Sequence, residues 1–186
     1  SDIFKYVEKL NLEGYIVTCN ADIFLDNSLQ NIKWTGIHDE KVVYSQLRFE
    51  YTDKVLSKCK IFGPRCDSQD TWIFHSNCNI PKKFRSQFKI NYGIRNCDLK
   101  LNYLFSLLNF KIINDPYFIK TYHFHTTNVR NYTNNMRLPH PYLLIEPYIS
   151  KQYINHFKYN KDFKNTGGNN YISKKKSKIP FFNMFN

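Results

Sequence analysis

The stretch YIVTCNADIFLD, residues 15–26, decides how this chain is read. Its first five residues are mostly β-branched or apolar, the composition of a strand buried on both faces of a sheet. They run without a break into Asn20, Ala21 and Asp22. In an open α/β sheet, ligands bind outside the carboxyl ends of the strands. On an extended chain residues 20 and 22 point to one face, so two oxygen donors could meet a single hard cation there. The local alternative is that Asp22 and Asp26 only turn the chain, with Asp26 or Ser28 capping a short helix. Both readings stand on these residues alone.

Outward from this stretch, residues 2–11 predict an amphipathic helix with Ile3, Val7 and Leu10 on one face, stopped at Gly14. KVVYSQLRF, residues 41–49, predicts a second strand, and residues 59–70 a loop around Gly63-Pro64. Residues 71–75 read as a third strand, residues 81–88 as helical, and Asn91-Tyr92-Gly93 as a turn. Asn96 is expected to cap a helix over 97–110, whose Cys97, Leu101, Leu104, Phe105 and Leu108 recur at helical spacing. Short strands over 111–114 and 119–126 follow, and LPHPYLLIEP closes the ordered part. Strands alternating with helices imply an α/β fold: a mixed, mostly parallel sheet flanked by helices. There is no internal repeat and no Gly-rich phosphate loop.

A chain of 186 residues is the size of one domain and long enough to bury a core without disulfides or metal. Mean hydropathy is −0.55, and no long uncharged apolar run occurs, which argues against a transmembrane helix. The opening SDIFKYVEKL has no apolar signal core, although the chain begins with Ser1 rather than Met. Five cysteines without a CxxC pair fit reduced thiols and a cytoplasmic setting better than a disulfide framework or zinc knuckle. Of the net charge of +12, residues 151–186 carry +7, through eight Lys against Asp162. The chain therefore divides into a domain over 1–150 and a basic, weakly structured extension over 151–186. Charge concentrated in such an extension is weak support for a nucleic-acid partner.

Three further polar groups interrupt apolar elements. His123 and His125 share one face of a predicted strand, where an imidazole could complete a Mn or Mg site begun by Asp22, or could be an ordinary core or surface histidine. Arg130 follows, either meeting an anionic ligand or solvated. Asp98, in the first turn of the 97–110 helix, is kept ionised by the helix dipole; that suits a general base and suits plain capping equally. Finally Asp67-Ser68-Gln69-Asp70-Thr71-Trp72 sets carboxylates and an amide beside a large aromatic. Such groups hold sugars; the bland reading is a polar loop whose Trp72 enters the core.

Taken in order, CNADIFLD, QLRFEY, GPRCDSQDTWIF, YGIRNCDLKLNYLF and IKTYHFHTTNVRNY resemble a metal-dependent glycosyltransferase of the GT-A type. The resemblance is to the glycosyltransferases that giant DNA viruses and some microbes encode, and it spans residues 15 to about 148. It implies a partial GT-A, Rossmann-like architecture and, for a viral chain, the host cytoplasm. Asn20-Ala21-Asp22 is similar to the DxD-type motif, with Asn at its first position; Asn20, Asp22 and Arg130 would bind the donor. Asp22 with His125 or His123 would hold Mn or Mg. Asp98 is similar to the base of inverting members, Asp70 to a second catalytic or acceptor-binding acid, and Trp72 to an acceptor contact. The partners implied are a nucleotide-sugar donor and a glycan or protein hydroxyl acceptor. Such folds begin with nucleotide-binding βα units, whereas one short helix precedes residue 15 here. A partner chain or further domain would supply that half. Two other expectations compete: a non-catalytic module of the same fold, and a basic nucleic-acid-binding protein or metal nuclease using Asp22, Asp70, Asp98 and the histidines.

Overall fold

The computed structural model describes residues 3–52, 55–63, 65–78, 80–124 and 137–147. A central sheet orders β1 (Tyr15–Cys19), β6 (Gln69–His75), β3 (Val42–Leu47) and β7 (Lys111–Ile113). A second, smaller sheet orders β2 (Ile23–Leu25), β8 (Thr121–His123), β4 (Phe49–Glu50) and β5 (Lys60–Ile61). Mixed sheets with helices make this an α/β fold. The expectation of a mostly parallel sheet is corrected: among the strands of the described residues, β3–β7 and β4–β8 pair in parallel and the other four pairings are antiparallel. Strand-forming composition carries no direction; the connections decide it. The chain reaches β6 by way of β4 and β5, and β6 runs against both of its neighbours, β1 and β3.

Helices cover both faces of the central sheet. On one face, α1 (Ile3–Lys9) and α3 (Cys97–Leu107) bring Phe4, Leu101, Leu104 and Phe105 onto Val43, Trp72 and Phe74. The predicted stripe of α3 is the buried one, and Phe105 meets the rings of Phe4, Phe74, Phe88 and Phe110. Each such buried aromatic contributes about 1.5–3 kcal/mol. On the other face Ile32, Ile37 and Ile119 pack on Val42, Tyr44 and Ile73. Ile32 belongs to the 3-10 helix Asn27–Trp34, which Asp26 caps as expected by accepting from the Ser28 amide at 2.8 Å. The helical segment expected over 81–88 is present as the short helix α2 (Lys82–Arg85) continued by a 3-10 turn, Ser86–Phe88.

Three local expectations change. Among the described residues the run 15–19 is an edge strand, partly exposed, not one buried on both faces; its composition reports strand, not position in the sheet. Asn96 is the N-cap as expected but makes no side-chain cap bond: it sits in the left-handed region at φ 66°, its carbonyl accepts the Lys100 amide at 3.0 Å, and the carboxylate of the first turn is Asp98. The single strand read over 41–49 splits. The ladder shifts between Gln46 and Leu47, the Asn114 side chain takes the Leu47 amide at 2.9 Å, and the chain passes through Arg48 into the second sheet. The segment after β1 makes the same crossing through residues 20–22 into β2. The start of β6 and the end of β8 lie between these two crossings, and together they position the polar residues. Among the described residues no helix is long and apolar enough to cross a membrane.

Candidate functional site

The polar residues meet where the two sheets join, beyond the carboxyl ends of β1 and β3. Asn20, at the end of β1, donates from Nδ2 to Asp70 Oδ1 at 2.6 Å. Asp70, near the start of β6, also receives the Nη1 of Arg48. Arg48 stands on the crossing from β3 to β4; it donates to Ser68 Oγ at 3.1 Å and from Nε to Glu50 Oε1 at 2.9 Å. Glu50 Oε2 lies 2.9 Å from His123 Nδ1, and His123 Nε2 lies 3.0 Å from Asp22 Oδ2. A continuous chain, Asn20–Asp70–Arg48–Glu50–His123–Asp22, thus ties both sheets together. Asp98 joins from the side, where its Oδ2 accepts the Gln69 amide at 3.3 Å.

Electrostatics divide this row. Burial pushes the Asp98 carboxyl up to about 6, against the Leu99 and Gln69 amides that favour its charge, and the nearby charge of Asp70 adds to the rise. Burial also raises Glu50, but the hydrogen bond with His123 and the Arg48 guanidinium outweigh it and hold Glu50 below the usual carboxylate range. Burial, with Asp22 and Asp70 behind it, pushes the Cys19 thiol up; burial takes Cys97 to about 12. Neither sulfur is a thiolate nucleophile at neutral pH. Arg48 and Arg65 both lie over the Phe62 ring, at 4.1 and 4.9 Å, and Arg65 pairs with Asp67. Asp22, Glu50, Asp67, Asp70 and Asp98 therefore face two guanidiniums and His123. Five of the chain's 15 acids gather in a protein of net charge +12. Such a site repels phosphate alone and favours a cation or a neutral polyol.

The donor set suits a hard divalent cation. Asn20 Oδ1 is buried without a hydrogen-bond partner among the described residues, and the Asp22 side chain is 44% exposed. No group of three His, Cys, Asp or Glu side chains able to hold a metal occurs among the described residues. Residues 20–22 form a turn, with the Ile23 amide donating to Asn20 O at 3.2 Å, so the shared face expected of Asn20 and Asp22 on an extended chain is corrected. His123, expected as a metal ligand, has its two ring nitrogens against Glu50 and Asp22. It aligns Asp22 rather than standing beside it as a second ligand.

Of the residues read from sequence, Asn20, Asp22, Asp70, Asp98 and His123 come together. Trp72 does not: it is 1% exposed, stacks on Tyr92 at 5.1 Å, and points Nε1 at Asn102 Oδ1 at 3.4 Å. The sugar platform expected of Trp72 is closed, because β6 alternation turns residues 72 and 74 into the α3 core. His125 and Arg130 lie outside the described residues, as does the extension 151–186. Sequence patterns alone do not single out Arg48, Glu50 and Ser68. Their signal was two opposite charges, two residues apart, breaking into an apolar strand run. A separate cleft of about 300 Å³, lined by Phe4, Glu8, Cys78 and Arg85, opens at the other end of β6 and shares no residue with this site. Compared with protein-family models, with curated proteins and with solved structures, the chain matches none of them.

Proposed function

We propose that this chain carries the metal and acceptor side of a GT-A-type glycosyltransferase, which moves a sugar from a nucleotide-sugar donor to a hydroxyl acceptor. The observation that carries the reading is convergence: residues from four separated stretches, Asn20 with Asp22, Asp70, Asp98 and His123, meet at one acidic sheet junction. When bound, a Mn or Mg ion held by Asn20 and Asp22 supplies charge neutralisation to a leaving diphosphate, a contribution of several kcal/mol. Asp98 would take the acceptor hydroxyl's proton. A carboxyl with pKa about 6 is mostly ionised at neutral pH yet still basic enough to accept it. Arg48 holds Asp70 and Glu50 in place, and His123 fixes Asp22 (a positioning role for both). β1 has a neighbour on one side only among the described residues. Its open edge suits a strand from a further domain or partner chain bearing the nucleotide-binding half.

Thermal shift with UDP- and GDP-sugars, with and without Mn, tests the proposal. Expected is a Mn-dependent stabilisation, about 2.7 kcal/mol at a hundredfold excess over Kd, that Asp22→Asn abolishes. No shift at millimolar ligand would sink the donor assignment and leave a non-catalytic module.

A further inference from the structure

The central sheet ends on β1, and its ladder shows which way the backbone of that strand faces. The Ser76 amide donates to Gly14 O at 2.9 Å, and the Asn20 amide donates to Asp70 O at 3.0 Å. Residues 14 and 20 therefore bond directly across to β6, and Ile16–Phe74 and Thr18–Trp72 lie between them in the same register. Direct bonding alternates along an antiparallel strand, so Tyr15, Val17 and Cys19 turn their N–H and C=O groups away from β6. Among the described residues no hydrogen bond reaches these outward groups. The other three edges of the two sheets are blunted. β7 and β5 begin with Lys111 and Lys60, and β2 is three residues long. β1 has five residues, YIVTC, with neither charge nor proline; Tyr15 is 40% exposed and residues 16–19 are half-buried. An uncharged, uncovered edge of this kind is a template for another strand.

We infer that the strand it takes is β1 of a second copy, antiparallel about a two-fold axis at Val17. The register argues for a copy over an unrelated strand, because three outward residues centred on Val17 are self-complementary. Val17 faces Val17, and Tyr15 of each copy faces Cys19 of the other. Every outward donor then meets an acceptor, and no charge is set against another. The two central sheets join into one, with a polar junction on either side of the axis. Tyr15 of one copy stands opposite the residue that precedes Asn20 of the other. The inference does not depend on the glycosyl-transfer reading; a strand from a nucleotide-binding half would compete for the same edge.

Light scattering on the size-fractionated full chain at micromolar concentration tests this. Expected is a mass twice 22.4 kDa. Val17→Pro removes the central outward amide and spares the bonds to β6, since proline is tolerated on an edge strand where its missing N–H faced away. It is expected to weaken the dimer about thirtyfold or more, with the far-UV spectrum unchanged. Val17→Cys in a Cys19→Ser background sets two thiols across the axis, their Cα atoms about 5.5 Å apart and within reach of a disulfide. Mild oxidation is expected to give a dimer whose linked peptides map to position 17 in both chains, a readout that holds even where Val17→Pro misfolds. A monomeric wild type overturns the inference. So does a dimer that survives Val17→Pro in a folded chain or fails to cross-link at position 17. The nucleotide-sugar thermal shift reads the donor site, so either result can fail without moving the other.

Discussion

Arg48 has the most to lose of any side chain in the acidic row. Its side chain is 13% exposed, and its guanidinium bonds Glu50, Ser68 and Asp70 and lies over Phe62. Arg48→Met strands two carboxylates with little water, and a loss of about 3–5 kcal/mol is expected in urea unfolding. Arg48→Lys keeps the charge without the planar fork, so it falls between the two. Asp98 runs the opposite way. Its carboxyl is raised from 3.8 to about 6, so the folded chain holds the proton more tightly than the unfolded one. The stability this confers is complete below about pH 3.8 and lost as pH rises through about 6. Asp98→Asn is therefore expected to be more stable than wild type at pH 7, by up to about 3 kcal/mol, with the gap closing by pH 4. The same variant is expected to slow transfer about 10²–10⁴-fold, and wild-type transfer to rise with pH through about 6. A stability gain paired with an activity loss would mark a base kept at a structural cost. Glu50, held low, contributes in the other direction and weakens the fold as acid protonates it.

At the scale of elements, the site depends on two strands that change sheets. The β3–β4 crossing is pinned by Asn114, which is 1% exposed: its Oδ1 accepts the Leu47 amide at 2.9 Å and its Nδ2 donates to Ile145 O at 3.1 Å. Asn114→Ala leaves the buried Leu47 amide unmet, while Ile145 O keeps the Gln69 side chain at 3.4 Å, at a cost of about 1–3 kcal/mol. Hydrogen exchange at Leu47 is expected to accelerate more than at Val43, which lies in the ladder proper. Equal acceleration at both would show a global effect rather than a loosened crossing. Behind this crossing, Asn102 is fully buried and holds Ser45 Oγ at 2.7 Å and Gln69 Oε1 at 3.0 Å. The strand that carries Asp70 is thereby tied to α3, which carries Asp98. Periodicity shows the apolar stripe of α3; it does not show that a buried Asn on the same helix joins two strands.

At the scale of the whole molecule, charge is split against itself. The chain is +12, with +7 in residues 151–186, while the sheet junction gathers five acids. Any binding to nucleic acid would therefore belong to the extension. Deleting residues 151–186 is expected to abolish salt-sensitive RNA or DNA retention in a filter assay and to leave urea stability within about 0.5 kcal/mol. Retention with an undiminished salt slope would move the phosphate contacts into the first 150 residues.

Much of the framework was legible in the sequence. The strands at 15–19 and 71–75, the helix stripe from Cys97 to Leu108, the cap at Asp26 and most of the acids at the junction are all local patterns. Each depends on spacing along one element, which burial of one face imposes on the chain directly. What only the tertiary structure decided was pairing. Strand direction, the edge position of β1, the closing of Trp72 against Tyr92, and the placing of Arg48 between Glu50 and Asp70 depend on contacts between residues up to a hundred positions apart. Such contacts leave no period in the sequence, because any partner of suitable charge and shape meets the same energetic need. The order of residues told which groups were available for chemistry; the crossing of two strands between two sheets made them neighbours.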